Sequence, residues 1–437
     1  MRIALVAVSA MGAANRERLG RGFDSPALIA RNRAIQSLPS LALLTLAGMA
    51  GRDHEFEYFE MEDLGPNGEL PGRFDLAAVS SYTAQIFTAY KLAEHYRAGG
   101  IPVVMGGPHV SCLPEEAARH CDAVVIGEGE PVWLDVLRDC ENGRLKKVYG
   151  SLKADFDLAQ SPMPAFELLD VKKYKRLTIE TSRGCPHRCE FCASSVLISG
   201  KYKQKPAERV LAEIDRISEL WPRPFIEFAD DNTFINLKYW KQILPEIQKR
   251  NIRWFAEADV RLARDEELLD LVRDSGCFQV LIGLESPELA DLDGVELHNN
   301  WKRKQGRDPR EAVHIIQSRG IRVCGCFVLG LDSQTPDVFD AIYTFVEDTA
   351  MFEVQITFLT PFPGTPLYDR LRREGRLLDE TAWDRCSLFD INFQPRHMTV
   401  DQLAAGYARL AERVFDPEFT RQRRHRAVHT RVRRALG

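Results

Sequence analysis

The chain has 437 residues, of which 45% are apolar and 28% are charged, and its formal net charge is −5. A chain of this length exceeds one ordinary hydrophobic core, so we expect two or three domains. The small net charge provides no global field that favours nucleic acid or a membrane surface, and no apolar run is long enough for a membrane span. The ten cysteines do not follow a secreted disulfide pattern, so we expect a reducing cytoplasm.

Residues 1–150 alternate strand-like and helix-like segments. The opening "MRIALVAVSAMG" has too short an apolar run for a signal peptide, and we interpret it as a buried first strand. The predicted strands are "RIALVAV", "EFEYFEM", "DLAAVSSY", "PVVMGG" and "AVVIGEG". Amphipathic segments such as "FTAYKLAEHYRAGG" and "PVWLDVLRDCENG" separate them. This alternation predicts an α/β, doubly wound (Rossmann-like) domain, which binds its ligand at the carboxyl ends of the strands.

A weakly patterned, proline-bearing stretch at 151–176 predicts a linker, and a second alternating series fills 177–375. Its predicted strands are "RLTIETS", "FIEFADD", "RWFAEAD", "FQVLIGLES", "RVCGCFVLGLD" and "EVQITFLTP", each followed by a helical segment. Because a closed barrel needs eight β-α units, these six predict an open, partial (β/α)6 barrel.

Beyond the predicted barrel, residues 376–437 show no regular alternation and predict a small mixed or helical region. The chain ends in "RQRRHRAVHTRVRRALG", which is strongly basic. We interpret this end as a solvated or frayed helix. Contact with an anionic substrate or partner is the alternative.

The stretch "RGCPHRCEFCASS" follows the first strand of the second series and places Cys185, Cys189 and Cys192 in a C-x3-C-x2-C spacing. Active sites of β-α barrels lie at the carboxyl ends of the strands, where this loop is expected. Three thiolates suit a four-iron cluster in which one iron stays open for the amino and carboxylate groups of a small molecule. Zinc with His187 or a remote residue as its fourth ligand is the alternative.

With Phe191 directly before the last cysteine, this loop resembles the signature of radical S-adenosylmethionine (SAM) enzymes. The resemblance covers roughly residues 175–375. It implies a [4Fe-4S] cluster on the three cysteines, which reduces SAM to give a 5′-deoxyadenosyl radical. It also implies an external electron donor of the flavodoxin or ferredoxin type.

The resemblance assigns roles to polar residues at other strand ends. It implies that Asp230 and Asp231 in "EFADDNTF" meet the amino group of SAM, although the glycines of the family motif are absent and a helix N-cap is the alternative for Asp231. Glu257 and Arg261 follow the third strand, and Arg261 is a candidate for the methionyl carboxylate, with a surface arginine without a ligand as the alternative. Glu285 in "LIGLES" is a candidate for the ribose hydroxyls, with a structural ion pair as the alternative.

The first domain resembles the cobalamin-binding domain of the cobalamin-dependent branch of these enzymes. Three strand-end motifs carry the likeness: "VSSYT", "GGPH" and "GEGE". The candidate cofactor-binding residues in them are Ser80, Ser81, Tyr82, Thr83, Gly106, Gly107, Pro108, His109, Gly127, Glu128 and Glu130. The segment after the first strand, "SAMGAANRERLG", lacks the histidine that ligates cobalt in other cobalamin domains. We therefore expect cobalt without a histidine from this loop.

These resemblances imply a cobalamin-dependent radical SAM enzyme that methylates an unactivated carbon of a small natural-product or lipid-like substrate. The segment from "ESPELADLDG" to "LTPFPGTPLYDRL" is most similar to the hopanoid methylase and anaerobic porphyrin-ester cyclase subgroup. A cyclisation, oxidation or rearrangement is therefore the second reading. A tRNA methylthiotransferase needs a second cysteine triplet, for which Cys112, Cys121 and Cys140 are too dispersed, and a non-catalytic cobalamin sensor would not need the intact cysteine loop.

Overall fold

The computed structural model describes residues 1–8, 38–62, 69–194, 201–304 and 308–435, with side chains up to residue 427. These residues form two six-stranded parallel sheets and one two-stranded antiparallel hairpin. The segment "SAMGAANRERLG", from which we predicted cobalt without a histidine, lies outside the described residues.

The first sheet confirms the predicted doubly wound domain. Its strands are β1 (Arg2–Val8), β2 (Glu55–Met61), β3 (Leu76–Ser81), β4 (Val103–Gly106), β5 (Ala123–Ile126) and β6 (Val148–Gly150). The order is β2-β1-β3-β4-β5-β6, and every neighbouring pair is parallel. The order reverses between β1 and β3, which is where such a sheet opens a crevice for a ligand. The short strand β6 was not predicted, because three residues show no clear alternation.

The four inner strands of this sheet, β1, β3, β4 and β5, are buried on both faces. Along β1, Ala4 and Val6 belong to one apolar cluster, whereas Ile3 and Leu5 belong to another on the opposite face. Both clusters also contain residues of the helices that cover the sheet, which are Leu41–Ala50, Ile86–Ala98, Pro108–Cys112, Pro114–Ala117 and Trp133–Glu141. A parallel strand with apolar residues at every position fits only between two such layers.

The second sheet confirms the open six-unit barrel. Its strands are β7 (Leu177–Ile179), β10 (Phe225–Phe228), β11 (Arg253–Ala258), β12 (Cys277–Glu285), β13 (Arg322–Leu329) and β14 (Glu353–Phe358). They pair in chain order, and β7 and β14 stand at the two edges. The outer helices are Ala207–Leu220, Leu237–Lys249, Glu266–Asp274, Pro309–Ser318, Val338–Thr349 and Pro366–Arg373. The hairpin of β8 (Ser182–Arg183) and β9 (Lys203–Gln204) frames the cysteine loop.

The helices pack on the barrel through regularly spaced apolar residues. In Ala207–Leu220 the buried residues Val210, Ile214 and Ile217 recur every three or four positions and form one face. The inner side of Leu237–Lys249 carries Trp240, whose ring packs against Phe228 of β10 at a centroid distance of 5.3 Å. In the described part of the chain no helix is long and apolar enough to cross a membrane.

Two helices follow the barrel, Val400–Val414 and Pro417–Ala435. The first begins with a capping box between Thr399 and Gln402. In the second, Arg423 is only 2% exposed and donates to the carbonyl of Met351, while Arg424 pairs with Glu353 at the start of β14. The expectation of a solvated or frayed helix is therefore wrong for this part of the basic tail. Arg423 and Arg424 pack at the amino end of β14, whereas Arg421 and Arg426 of the same stretch are exposed.

Candidate active site at the facing strand ends

The cysteine loop lies at the carboxyl end of β7. Cys189 is buried, Cys185 and Cys192 are partly buried, and the Cys192 amide donates to the Cys189 carbonyl at 3.0 Å. Burial raises the pKa of Cys185 to about 11 and that of Cys189 to about 12, and the neighbouring thiols add to both shifts. The three thiols therefore share one electrostatic environment, and binding an iron cluster would have to deprotonate them.

The donor set fits a cubane cluster better than a single zinc ion. Among the described residues, no three His, Cys, Asp or Glu side chains converge on one point as the ligands of one ion would. The thiolates of a cubane bind three different irons, so they need not converge. His187, the suggested fourth zinc ligand, is held elsewhere: its ring stacks on Trp301 at 3.9 Å and its Nε2 lies 3.2 Å from Arg261 Nη2.

Residues 289–304, which we call the cap segment, lie across the cysteine loop. The Glu190 amide donates to the Val295 carbonyl at 2.9 Å, and the Leu297 amide donates to the Arg188 carbonyl at 2.8 Å. Glu296 of the cap segment accepts backbone N–H groups from both segments. Although burial opposes ionisation, these bonds lower the pKa of Glu296 to about 2. The cap segment therefore fixes the loop backbone without using the thiols.

A buried ion pair anchors the far end of the cap segment. Lys302 Nζ lies 2.6 Å from Glu285 Oε1 and 3.1 Å from the carbonyl of Gly283, and both charged side chains are about one-tenth exposed. The charge of Lys302 also acts on Cys189. For Glu285 the structure thus shows the ion pair that the sequence left as the alternative, and the ribose contact stays a prediction.

Asp230 and Asp231 have different surroundings. Asp230 accepts the backbone N–H groups of Thr181 and Ser182 at 2.7 and 2.8 Å, so it fixes the turn that leads into the cysteine loop. Burial raises its pKa to about 7. Asp231 accepts a hydrogen bond from Ser194, and its charge acts on Cys185. The N-cap positions of the two following helices are held by Asn232 and Asn236, so Asp231 does not cap a helix and is the better placed of the two for a ligand amino group.

Glu257 lies inside the barrel on β11, where carboxylates surround it. Burial, followed by the charges of Glu227 and Asp231, raises the pKa of Glu257 to about 8. Arg261 is held by Asp259, with Nη2 to Oδ2 at 2.7 Å, and its guanidinium lies 4.7 Å above the ring of Trp301. A SAM carboxylate would therefore have to share Arg261 with Asp259.

The first two motifs of the N-terminal domain meet at the crevice edge. Gly107 has φ +109°, and a Cβ there would lie 3.2 Å from the Ser81 carbonyl oxygen and 3.3 Å from Ser80 Oγ. The Ser81 hydroxyl is buried without a hydrogen-bond partner in the described part of the chain. Tyr82, the next residue, is exposed. A close backbone approach and an unpartnered hydroxyl fit a bulky polar cofactor such as cobalamin.

His109 does not point to that edge. Its side chain is fully buried between Tyr90 and Trp383, and Nε2 lies 3.3 Å from Glu116. Burial lowers the pKa of His109. The structure therefore gives His109 a packing role, against the C-terminal region that carries Trp383.

The third motif of the N-terminal domain, "GEGE" at residues 127–130, contacts the barrel. Glu128 and Glu130 both bind the side chain of Arg183, which precedes the cysteine loop. Sequence reasoning missed Arg183, although it stands in "SRGCPH" two residues before Cys185. It also missed Lys302, for which the sequence carries no local signal.

Comparisons with known proteins agree with this arrangement. Residues 179–346 match the family model of the Radical SAM superfamily, and residues 71–136 match that of the B12 binding domain. Residues 365–435 match a domain of unknown function, DUF4070. The resemblances drawn from the cysteine loop and from the strand-end glycines are thus confirmed at the level of domains, together with the cofactors that these domains imply.

Curated relatives cover most of the chain. Hopanoid C-2 methylase of Rhodopseudomonas palustris is 30% identical over 73% of this chain and 60% of its own length. Bacteriochlorophyllide d C-12(1)-methyltransferase of Chlorobaculum tepidum is 28% identical over 78% of this chain and 75% of its own length. Anaerobic magnesium-protoporphyrin IX monomethyl ester cyclase of Rubrivivax gelatinosus is 25% identical over 70% of this chain and 60% of its own length.

Two solved structures share the fold. The radical SAM methyltransferase TsrM from Kitasatospora setae, with cobalamin and a [4Fe-4S] cluster bound, superposes with a TM-score of 0.63 at 16% identity, over 85% of this chain and 75% of that one. The cobalamin-dependent SAM radical enzyme OxsB, with aqua-cobalamin and SAM bound, superposes with a TM-score of 0.65 at 16% identity, over 90% of this chain and 64% of that one.

Proposed function

Since this chain is a radical SAM protein with a B12-binding domain, we propose that it is a cobalamin-dependent methyltransferase acting on an unactivated carbon of a small natural-product or lipid-like molecule. The observation that carries the proposal is the contact of Arg183 with Glu128 and Glu130. It brings the strand ends of the B12-binding domain against the cysteine loop. A radical formed at one site and a methyl carrier at the other would then serve the same substrate.

The chain's own residues divide the work of holding the cofactors. The loop cysteines would bind the cluster, and the cap segment would keep water from them. Asp231 would receive the amino group of SAM, because a carboxylate favours an ammonium in a partly dry site. The Ser81 hydroxyl and the backbone at Gly107 would receive cobalamin. When bound, these groups supply the one-electron reduction and the methyl carrier.

The proposal has three further parts. The reaction would draw electrons from an external donor of the flavodoxin or ferredoxin type, in a reducing cytoplasm. The domains would run over 1–150 and 177–375, with a linker at 151–176 and a C-terminal region at 376–437. Among the other strand-end residues predicted from the sequence, Asp230, Glu257, Arg261 and Glu285 would lie around the cluster and SAM. The residues that would lie around cobalamin are Ser80, Tyr82, Thr83, Gly106, Pro108 and Gly127.

Methyl-deuterated SAM tests the reaction class. The reconstituted protein is incubated under reducing, anaerobic conditions with labelled SAM and a small-molecule extract of its host, and the mixture is searched by mass spectrometry. A methyltransferase gives a product with the deuterated methyl group, and S-adenosylhomocysteine and 5′-deoxyadenosine form in about equal amounts.

The cyclase relative supports the second candidate, a cyclisation or rearrangement. Such an enzyme gives 5′-deoxyadenosine with little S-adenosylhomocysteine and no labelled product. That result, absent from a C185A control, would end the methyltransferase proposal and leave a radical SAM enzyme of the second kind.

A further inference from the structure

Arg183 binds three carboxylates from two domains. Its Nη1 donates to Glu128 at 2.6 Å, its Nη2 donates to Glu130 at 2.7 Å, and its Nε donates to Glu180 at 2.8 Å. Glu180 directly follows β7 of the barrel, whereas Glu128 and Glu130 follow β5 of the first sheet. The guanidinium is 16% exposed, so water screens these contacts weakly.

A second cation completes the arrangement from the other strand of the hairpin. Lys203 Nζ donates to both oxygens of Glu128, at 2.8 and 2.9 Å, and to the carbonyl of Phe156 at 3.1 Å. The Phe156 amide in turn donates to Glu128 at 2.6 Å. Although burial opposes ionisation, the bonds from Lys203, Phe156 and Arg183 hold the pKa of Glu128 below its usual range. We call Glu128, Glu130, Arg183 and Lys203 the interdomain clamp.

The backbone around the clamp leaves little freedom. Gly127 has φ +76°, and a Cβ there would lie 2.5 Å from the carbonyl oxygen of Ser151, so this turn packs tightly on the chain that leaves the first domain. On the barrel side, Arg183 and Lys203 face each other across β8 and β9. Movement of the first domain at this edge would therefore be transmitted to the start of the cysteine loop.

We propose that the interdomain clamp fixes the position of the cysteine loop relative to the cobalamin edge of the first domain. Glu128 and Glu130 then act on the barrel rather than on the corrinoid, and Arg183 and Lys203 are positioning residues. This inference rests on the proposed function, because it concerns the geometry between the two cofactors. Radical transfer and methyl transfer depend on distances held to within about an ångström, so a loosened clamp would impair coupling before it impaired binding.

The test compares full-length wild-type protein with R183Q and the milder E130Q. The matched control is R319Q, which makes the same change at an arginine that pairs with Glu266 and Asp270 inside the barrel domain, at 2.6 and 2.9 Å, without touching the first domain. Hydrogen exchange of the cofactor-free proteins is followed by mass spectrometry over residues 127–131 and 184–192. R183Q should speed exchange in both segments by about tenfold, since it removes charge-assisted hydrogen bonds. R319Q should change exchange in neither segment, because its partners lie on an outer helix of the barrel.

The second measurement reads the geometry between the cofactors. Proteins loaded with cob(II)alamin and reduced cluster are examined by pulsed electron paramagnetic resonance, which reports the magnetic coupling between the two centres. R183Q should keep both cofactors, but the distance between them should vary more, so the distribution of magnetic couplings should broaden. Methyl transfer from SAM to reduced cobalamin should slow about tenfold or more. E130Q should give a smaller change of the same kind. R183K should fall between the wild type and R183Q, because lysine keeps the positive charge but engages fewer of the carboxylates.

Unchanged coupling and unchanged methyl transfer in R183Q and E130Q would overturn the proposal, whatever the exchange results. Equal effects in R319Q would also overturn it, because they would show general destabilisation. Loss of cobalamin from E130Q alone would return Glu130 to a cofactor contact. If the wild-type protein binds no cobalamin, the proposed function is refuted, and this result is distinct from those that refute only the clamp.

Discussion

Replacement of Lys302 by methionine should release the cap segment from the cysteine loop. The Lys302–Glu285 pair is about 10% exposed with a 2.6 Å contact, so K302M leaves an unpaired carboxylate in a dry site. Breaking a buried pair in this way costs about 3–5 kcal/mol. The neighbouring pair Arg303–Asp293 is about half exposed, so R303M should cost about 1 kcal/mol or less.

Hydrogen exchange at the amides of Glu190 and Leu297 measures this cost, because each of these amides donates a hydrogen bond that joins the cysteine loop to the cap segment. Exchange there should accelerate about a hundredfold or more in K302M and little in R303M. The double variant K302M/E285Q should recover most of the loss, since it buries no unpaired charge. Two results would show that the pair does not anchor the cap segment. One is that these amides exchange no faster in K302M than in R303M, and the other is that they exchange as fast in the double variant as in K302M.

Three further predictions follow from the site. C189A should lose the cluster and all SAM cleavage, whereas C386A, a buried cysteine far along the chain, should keep the wild-type iron content; equal iron in both would contradict the cluster assignment. The pKa of Glu257 rises from 4.5 to about 8 on folding, so between these pH values the folded protein holds a proton that the unfolded chain releases. The free energy of unfolding should therefore fall as pH rises from about 4.5 to about 8. Thermal midpoints of the cofactor-free protein should show this slope, and E257Q should flatten it. Cob(II)alamin bound to the protein should show no nitrogen superhyperfine splitting in its electron paramagnetic resonance spectrum, since His109 is buried in packing contacts; a split signal would show an axial nitrogen.

Local pattern determined most of the fold. The two sheets arise from apolar strands and helices whose periods of two and 3.6 residues can be read from neighbouring positions. The spacing of Cys185, Cys189 and Cys192 is equally local, which is why it predicted the cluster loop. Elements too short to show such a period were missed: the three-residue strand β6 and the two-residue strands β8 and β9. The burial of Arg423 in the basic tail was missed as well.

The partners of the charged residues were decided by the tertiary structure. The sequence has 63 acidic side chains, and nothing local tells that Arg183 will meet Glu128 and Glu130 among them. Its partner Glu128 lies 55 residues away, and the two meet only because the end of β5 in one sheet faces the hairpin beside another. The sequence predicted that Glu128 and Glu285 lie at strand ends. Their contacts with Arg183 and Lys302 depend on how sheets and loops pack over long separations, and ion pairs follow that packing because their range is short compared with a domain.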